Sequence, residues 1–204
     1  MRNELPEVKD NITGIILAGG LARRMDRKDK GLLDINGKPL IGYVIDGLAP
    51  QVRSLVINAN RNQEQYAKFG YPVISDNYPD YRGPLAGMYS CIVEVNTEYM
   101  LTVPCDSPFI PVDLASRLFN RMKQERAEIS VASNGRRMQP VFALISIRIM
   151  DSLLDFLERG ERRIDKWYAE QHTVTADFSD KMETFVNINT PEKLLMVEAV
   201  LEND

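Results

Sequence analysis

With 204 residues, 44% of them hydrophobic and 26% charged, the chain has the size and make-up of one self-sufficient globular domain, not of a disordered segment. Its formal net charge is −4, and its 25 basic residues cluster once, from Arg23 to Lys30, which suits a small polyanion and argues against a nucleic-acid partner. No apolar run reaches the roughly 20 residues that cross a bilayer, which argues against a membrane protein.

The first eleven residues are polar, unlike a signal peptide, and are expected to be flexible. Ile12 to Ala18 reads as a buried strand ended by Gly19-Gly20. After Pro39, a good first-turn residue, Leu40, Ile41, Val44, Ile45 and Leu48 repeat at helical spacing. Leu55-Val56-Ile57 is a second buried strand, Asn62 to Phe69 a short polar helix, and Val73-Ile74 a third strand ending at Asp76. A helix over Leu85 to Val95 follows, then a fourth strand from Tyr99 to Val103 that ends at Pro104-Cys105-Asp106. Leu114, Leu118 and Met122 mark the next helix.

Ile129 to Val131 and Val141 to Leu144 are two more strands, separated only by the polar turn Asn134 to Arg137. A helical crossover does not fit there, so one of the two must run antiparallel. Met150, Leu153, Leu154 and Leu157 form an amphipathic helix, and a further helical stretch carries Trp167. The last helix opens at Thr190-Pro191 and is expected to bury Leu194, Leu195, Val197 and Leu201. This alternation predicts an α/β fold: a single-domain, Rossmann-like three-layer sandwich with a mostly parallel sheet and an antiparallel strand in the second half.

In open α/β sheets, ligands sit outside the carboxyl ends of the strands. Gly19-Gly20, Asn58, Asp76 and Asp106 all occupy such predicted ends. Two adjacent glycines let backbone amides approach an anion, and Arg23, Arg24 and Lys30 supply cations. Triphosphate chemistry needs that combination, because charge on the transferring phosphoryl group must be offset. Neither G-x-x-x-x-G-K-[ST] nor G-x-G-x-x-G occurs at this loop, so the P-loop and dinucleotide fingerprints are excluded.

Asp106 at a strand end beside that loop meets the needs of Mg²⁺, which takes one or two carboxylates plus phosphate oxygens and water; it fits a turn cap as well. Asp76, before Asn77-Tyr78-Pro79, fits a turn nearly as well as a ligand site. Gly83 to Gly87 reads as a rigid turn opening a helix whose backbone a ligand could approach. Cys91 and Cys105 lack metal spacing and read as reduced, buried thiols, and the sole histidine, His172, is assigned no catalytic role. A cytoplasmic location is expected.

The run Ile16-Leu17-Ala18-Gly19-Gly20, then Arg24-Met25, then Asp29-Lys30-Gly31-Leu32-Leu33 resembles the signature loop of the molybdenum cofactor guanylyltransferases, the MobA family within the nucleotidyltransferase superfamily. Further matches are Asn36 to Leu40, Asn58-Ala59-Asn60-Arg61, Gly83 to Gly87, Pro104 to Pro108, Gly160-Glu161-Arg162-Arg163 and Val186 to Pro191. The resemblance implies a nucleotide-diphospho-sugar transferase-like fold and one nucleotidyltransferase domain over 1–204. The GTP site would lie mainly in 12–110 and the acceptor site mainly in 111–204.

It further implies that GTP and Mg²⁺ bind, and that GMP passes to the terminal phosphate of molybdopterin or Mo-molybdopterin. The products would be the guanine dinucleotide cofactor and pyrophosphate. By motif position, Leu17, Ala18, Gly19, Lys30, Asn58, Asp76 and Asp106 would contact GTP, with Asp106 also holding Mg²⁺. Gly20 and Arg24 belong to the same phosphate loop, and Lys30, Arg24 and Asp106 are the expected catalytic residues. Asn187 and Asn189 are assigned to the acceptor. Other cofactor-biosynthesis proteins or molybdoenzyme chaperones are the implied protein partners.

The chain departs from the family at Asp26, where glycine is common, and at Gln139, where histidine is frequent. Two other readings are open: a related nucleotidyltransferase using CTP or a sugar-phosphate acceptor, and a non-catalytic GTP-binding module that delivers the cofactor.

Overall fold

The computed structural model describes residues 5–19, 29–77, 83–188 and 191–201. Helix α1 (Leu5–Asp10) lies within the segment expected to be flexible, and its Val8 packs into the core. Strand β1 (Ile12–Leu17) follows as predicted. The next elements are a short hairpin, β2 (Asp34–Ile35) and β3 (Lys38–Pro39), and helix α2 (Leu40–Leu48). Sequence reading missed that hairpin. Asn36 and Gly37, both at positive φ (53° and 81°), make its turn, and Asn-Gly is the dipeptide that prefers such a turn.

Strand β4 (Ser54–Asn58), helix α3 (Gln63–Ala67), strand β5 (Val73–Ile74), helix α4 (Pro84–Ser90) and strand β6 (Tyr99–Pro104) complete the first half. The helix expected over Leu85 to Val95 stops at Ser90 and continues as a 3-10 turn, Cys91–Glu94. The second half holds α5 (Leu114–Glu125), β7 (Ile129–Ser133), β8 (Met138–Ser146), α6 (Met150–Glu158), α7 (Ile164–Ala169), β9 (Thr173–Asp177) and α8 (Pro191–Leu201). Strand β9 was not anticipated; it is an edge strand with only Ala176 buried.

Seven strands form one sheet in the order β5-β4-β1-β6-β8-β7-β9. All pairings are parallel except those of β8, which runs antiparallel to both β6 and β7. The reversal follows from the tight Asn134–Arg137 turn, where the Asn134 carboxamide oxygen accepts from the amides of Arg136 and Arg137. The period of two along each strand feeds two apolar layers. Ile12, Ile16, Leu101 and Val103 face α2 and α5, while Ile15 and Met100 face α4, α6 and Trp167 of α7.

A third cluster joins Ile35 and Leu40 to Ile188 and Val197, tying α8 to the hairpin. Here one expectation is corrected: Leu195 is 66% exposed, not buried. Leu194, Val197 and Leu201 share a helical stripe, and Leu195 falls off it by about 100°. No helix among the described residues is long and apolar enough to cross a membrane.

Candidate active site

Strand ends bring the expected residues together along one edge of the sheet. Leu17 is in register with Asn58 on one side and Pro104 on the other, so the β1, β4 and β6 ends lie adjacent. The Ala18 amide donates to the Asn58 carbonyl at 2.8 Å, and the Cys105 amide donates to the Leu17 carbonyl at 3.1 Å. Gly19, Asn58 and Asp106 therefore emerge side by side. Gly20, Arg23, Arg24, Asp26 and Asn189 lie outside the described residues.

On the β4–β5 side, the side chains form a closed polar group. Asn58 Nδ2 donates to Asp76 Oδ1 at 2.9 Å and to the Ile74 carbonyl at 3.1 Å. Asn60 Nδ2 donates to Asp76 Oδ2 at 2.8 Å, and Asn60 Oδ1 accepts from the Asp76 amide at 2.7 Å. Asn60 was not among the expected site residues; its spacing of two from Asn58 places both on one side of the extended chain. Gly87 of α4 packs against this group so closely that a Cβ there would lie 2.3 Å from Asn58 Oδ1.

On the β6 side, Lys30 Nζ donates to Asp106 Oδ2 at 2.9 Å, with side-chain exposures of only 22% and 12%. The expected phosphate cation and the expected metal ligand thus face each other directly. Beside them, Ser107 Oγ bonds Asn187 Oδ1 at 2.7 Å, and the Ile188 amide donates to the Asp106 carbonyl. Asn187, assigned to the acceptor, accordingly sits at the same strand end as Asp106. Ser107 is fully buried there, and the Pro104–Pro108 motif alone gave no sign of its bond to Asn187.

Beneath Lys30, Asp29 accepts hydrogen bonds from the Tyr66 hydroxyl and from Asn62 Nδ2. Neither partner was anticipated, because both come from α3 and its lead-in turn. Burial, then the neighbouring Cys105 and Asp29, pushes the Tyr66 hydroxyl well above the ordinary phenol range. Burial, with Asp106 next, does the same to the Cys105 thiol, so it is no nucleophile at neutral pH. Gln139, at the family's histidine position, has a buried Nε2 without a hydrogen-bond partner. His172 offers only its backbone to the hydrogen bonds around Glu128.

Among the described residues, no group of three or more His, Cys, Asp or Glu side chains could cage a metal. The edge thus gathers the Lys30 ammonium and the Asp106 carboxylate, with the Asn58, Asn60 and Asn187 carboxamides on either side.

The fold itself recurs in solved structures. A molybdopterin-guanine dinucleotide biosynthesis protein A from Archaeoglobus fulgidus superposes with a TM-score of 0.77 at 21% identity, over 94% of this chain and all of that one. A CMP:2-keto-3-deoxy-manno-octonic acid synthetase complexed with CTP reaches 0.68 at 14% identity, over 96% of this chain and 99% of that one. These likenesses show the fold alone. Sequence narrows it: residues 14–174 match the MobA-like NTP transferase domain. A molybdenum cofactor guanylyltransferase of Shewanella sediminis is 50% identical over 182 residues, 89% of this chain and 93% of that protein. One of Shewanella woodyi is 49% identical over 190 residues, 93% and 97% respectively. The chain belongs to the MobA-like NTP transferase family.

Proposed function

We propose that the chain transfers GMP from GTP to the terminal phosphate of molybdopterin, releasing pyrophosphate and forming the guanine dinucleotide cofactor. The single observation that carries most weight is the Lys30–Asp106 pair at the β6 end, flanked by the Asn58–Asn60–Asp76 group on one side and Ser107–Asn187 on the other. The relatives named as guanylyltransferases support GTP over other nucleotides.

An acceptor phosphate oxygen attacks the α-phosphorus in line, a new P–O bond forms, and the bond to the β-phosphate oxygen breaks. The acceptor is already an anion, so the site needs no general base. Catalysis is positioning and charge stabilisation. Leu17, Ala18 and Gly19 present the backbone at the β1 end, and Asn58 and Asp76 contact the nucleotide beside it. Lys30, with Arg24 and Gly20 of the same loop, offsets charge on the leaving pyrophosphate. Asp106 would hold Mg²⁺ together with phosphate oxygens and water, and the ion would supply Lewis acidity at the transferring phosphate.

Asn187 and Asn189 are assigned to the acceptor, and the bond between Asn187 and Ser107 beside Asp106 supports that reading. Reaction in the cytoplasm agrees with two free, buried thiols.

The test is pyrophosphate release from GTP, CTP, ATP and UTP, each with molybdopterin. Release from GTP above the others supports guanylyl transfer; preference for CTP, or turnover with a sugar phosphate, would move the enzyme to another branch. Tight GTP binding with no release would mark a delivery module.

A further inference from the structure

Two residues that ordinarily cap helices forgo that role at this site. Asp29 precedes the 3-10 turn Lys30–Leu32 and Asn62 precedes α3, yet neither side chain caps its own helix. Instead, Asn62 Nδ2 donates to Asp29 Oδ2 at 3.1 Å, and the Tyr66 hydroxyl donates to Asp29 Oδ1. Asn62 also holds a left-handed backbone, φ 51°. Forgone caps and unfavourable dihedrals cost stability, and they gather where function demands them.

The residue after Lys30 completes the arrangement. A Cβ on Gly31 would lie 2.6 Å from the Tyr66 hydroxyl and 3.3 Å from Cys105 Cβ, so the hydroxyl reaches under the loop only because position 31 is glycine. Tyr66 is fully buried, its ring fixed in the core that also holds Ile57 and Val103. The loop end that carries Lys30 is thereby pinned to the sheet from below, while Lys30 itself reaches Asp106, 76 residues away in sequence.

We propose that Tyr66 is a positioning residue for nucleotidyl transfer: with Asn62 it fixes the Asp29 carboxylate, and through Asp29 it fixes the direction in which Lys30 meets the triphosphate. This rests on Lys30 being the phosphate-binding cation. The rigid ring matters because lysine alone has a long, flexible stem, whose ordering would otherwise fall on each binding event. Burial keeps the hydroxyl protonated, so it remains a donor to Asp29 through the working pH range.

A double-mutant cycle on the full chain separates positioning from mere packing. Tyr66→Phe should lower kcat/KM for GTP roughly 10- to 100-fold, the range for one hydrogen bond to a charged group. In a Lys30→Ala background the same change should cost less than about 2-fold, because the group it serves is gone. Asp29→Asn, which leaves the buried ring in place, should repeat the pattern if Tyr66→Phe folds poorly. Equal losses in both backgrounds, or no loss in the intact enzyme, would overturn the positioning role. Full turnover by Lys30→Ala alone would instead overturn the assignment of Lys30.

Discussion

Asn58 is held from every direction at the strand edge. Its amide nitrogen is spent on Asp76 and the Ile74 carbonyl, and its oxygen lies 3.1 Å from where a Cβ on Gly19 would stand. Gly87 approaches still closer. Gly87→Ala should displace Asn58, lowering stability by about 1–3 kcal/mol and weakening GTP binding in a titration. Lost stability with GTP affinity unchanged would show that Asn58 does not serve the nucleotide. Asp106→Asn and Lys30→Ala should each cut GMP transfer by about 10²–10³-fold while circular dichroism reports a folded chain. Near-normal turnover in a folded Asp106→Asn variant would contradict the metal assignment. Residue type and strand-end placement made Lys30 and Asp106 legible in the sequence. Their pairing was not, because no local pattern encodes a partner 76 positions away. Tyr66, a single aromatic in a short helix, gave no local sign of reaching Asp29.

Among the elements, the buried parallel strands β1, β4 and β6 were legible because continuous apolar runs bounded by glycine, asparagine or proline leave few alternatives. The reversal of β8 was legible as well, from the length of its turn. The β2–β3 hairpin escaped because its strands are two residues each, too short for a period, though Asn36-Gly37 marked the turn. Edge strand β9 escaped for lack of burial. On α8, Leu194, Val197 and Leu201 keep the expected helical spacing, while Leu195 lies outside the buried stripe. Val197→Ala should therefore cost about 1–3 kcal/mol in urea unfolding, whereas Leu195→Ser should stay within about 0.5 kcal/mol. Equal effects would mean that α8 does not dock on Ile35, Leu40 and Ile188 through that stripe.

Over the whole molecule, the fold keeps several acids neutral in its interior. Burial pushes the Cys91 thiol up to about 12 from an ordinary 9.0, and it raises Cys105, Tyr66 and Tyr168 further still. In the unfolded chain the thiols release protons near pH 9.0 and the phenols near 10.0. Above pH 9 the unfolded chain therefore binds fewer protons than the fold, and stability must fall as pH rises. Urea midpoints followed from neutral pH to about pH 10 should decline on the alkaline side; a flat profile would place these groups in contact with water.

At the same scale, the sheet order and its one reversed strand align the β1, β4 and β6 ends, and the segment after β9 returns Asn187 to Ser107. One edge thus gathers Asn58, Asp106, Ser107 and Asn187. The most direct measurement uses GTP labelled on its α-phosphate, incubated with Mg²⁺, molybdopterin and the full chain. GMP transfer places the label in the dinucleotide product and leaves the released pyrophosphate unlabelled. Label that remains in GTP, or appears as free GMP without a pterin adduct, would contradict the proposed reaction.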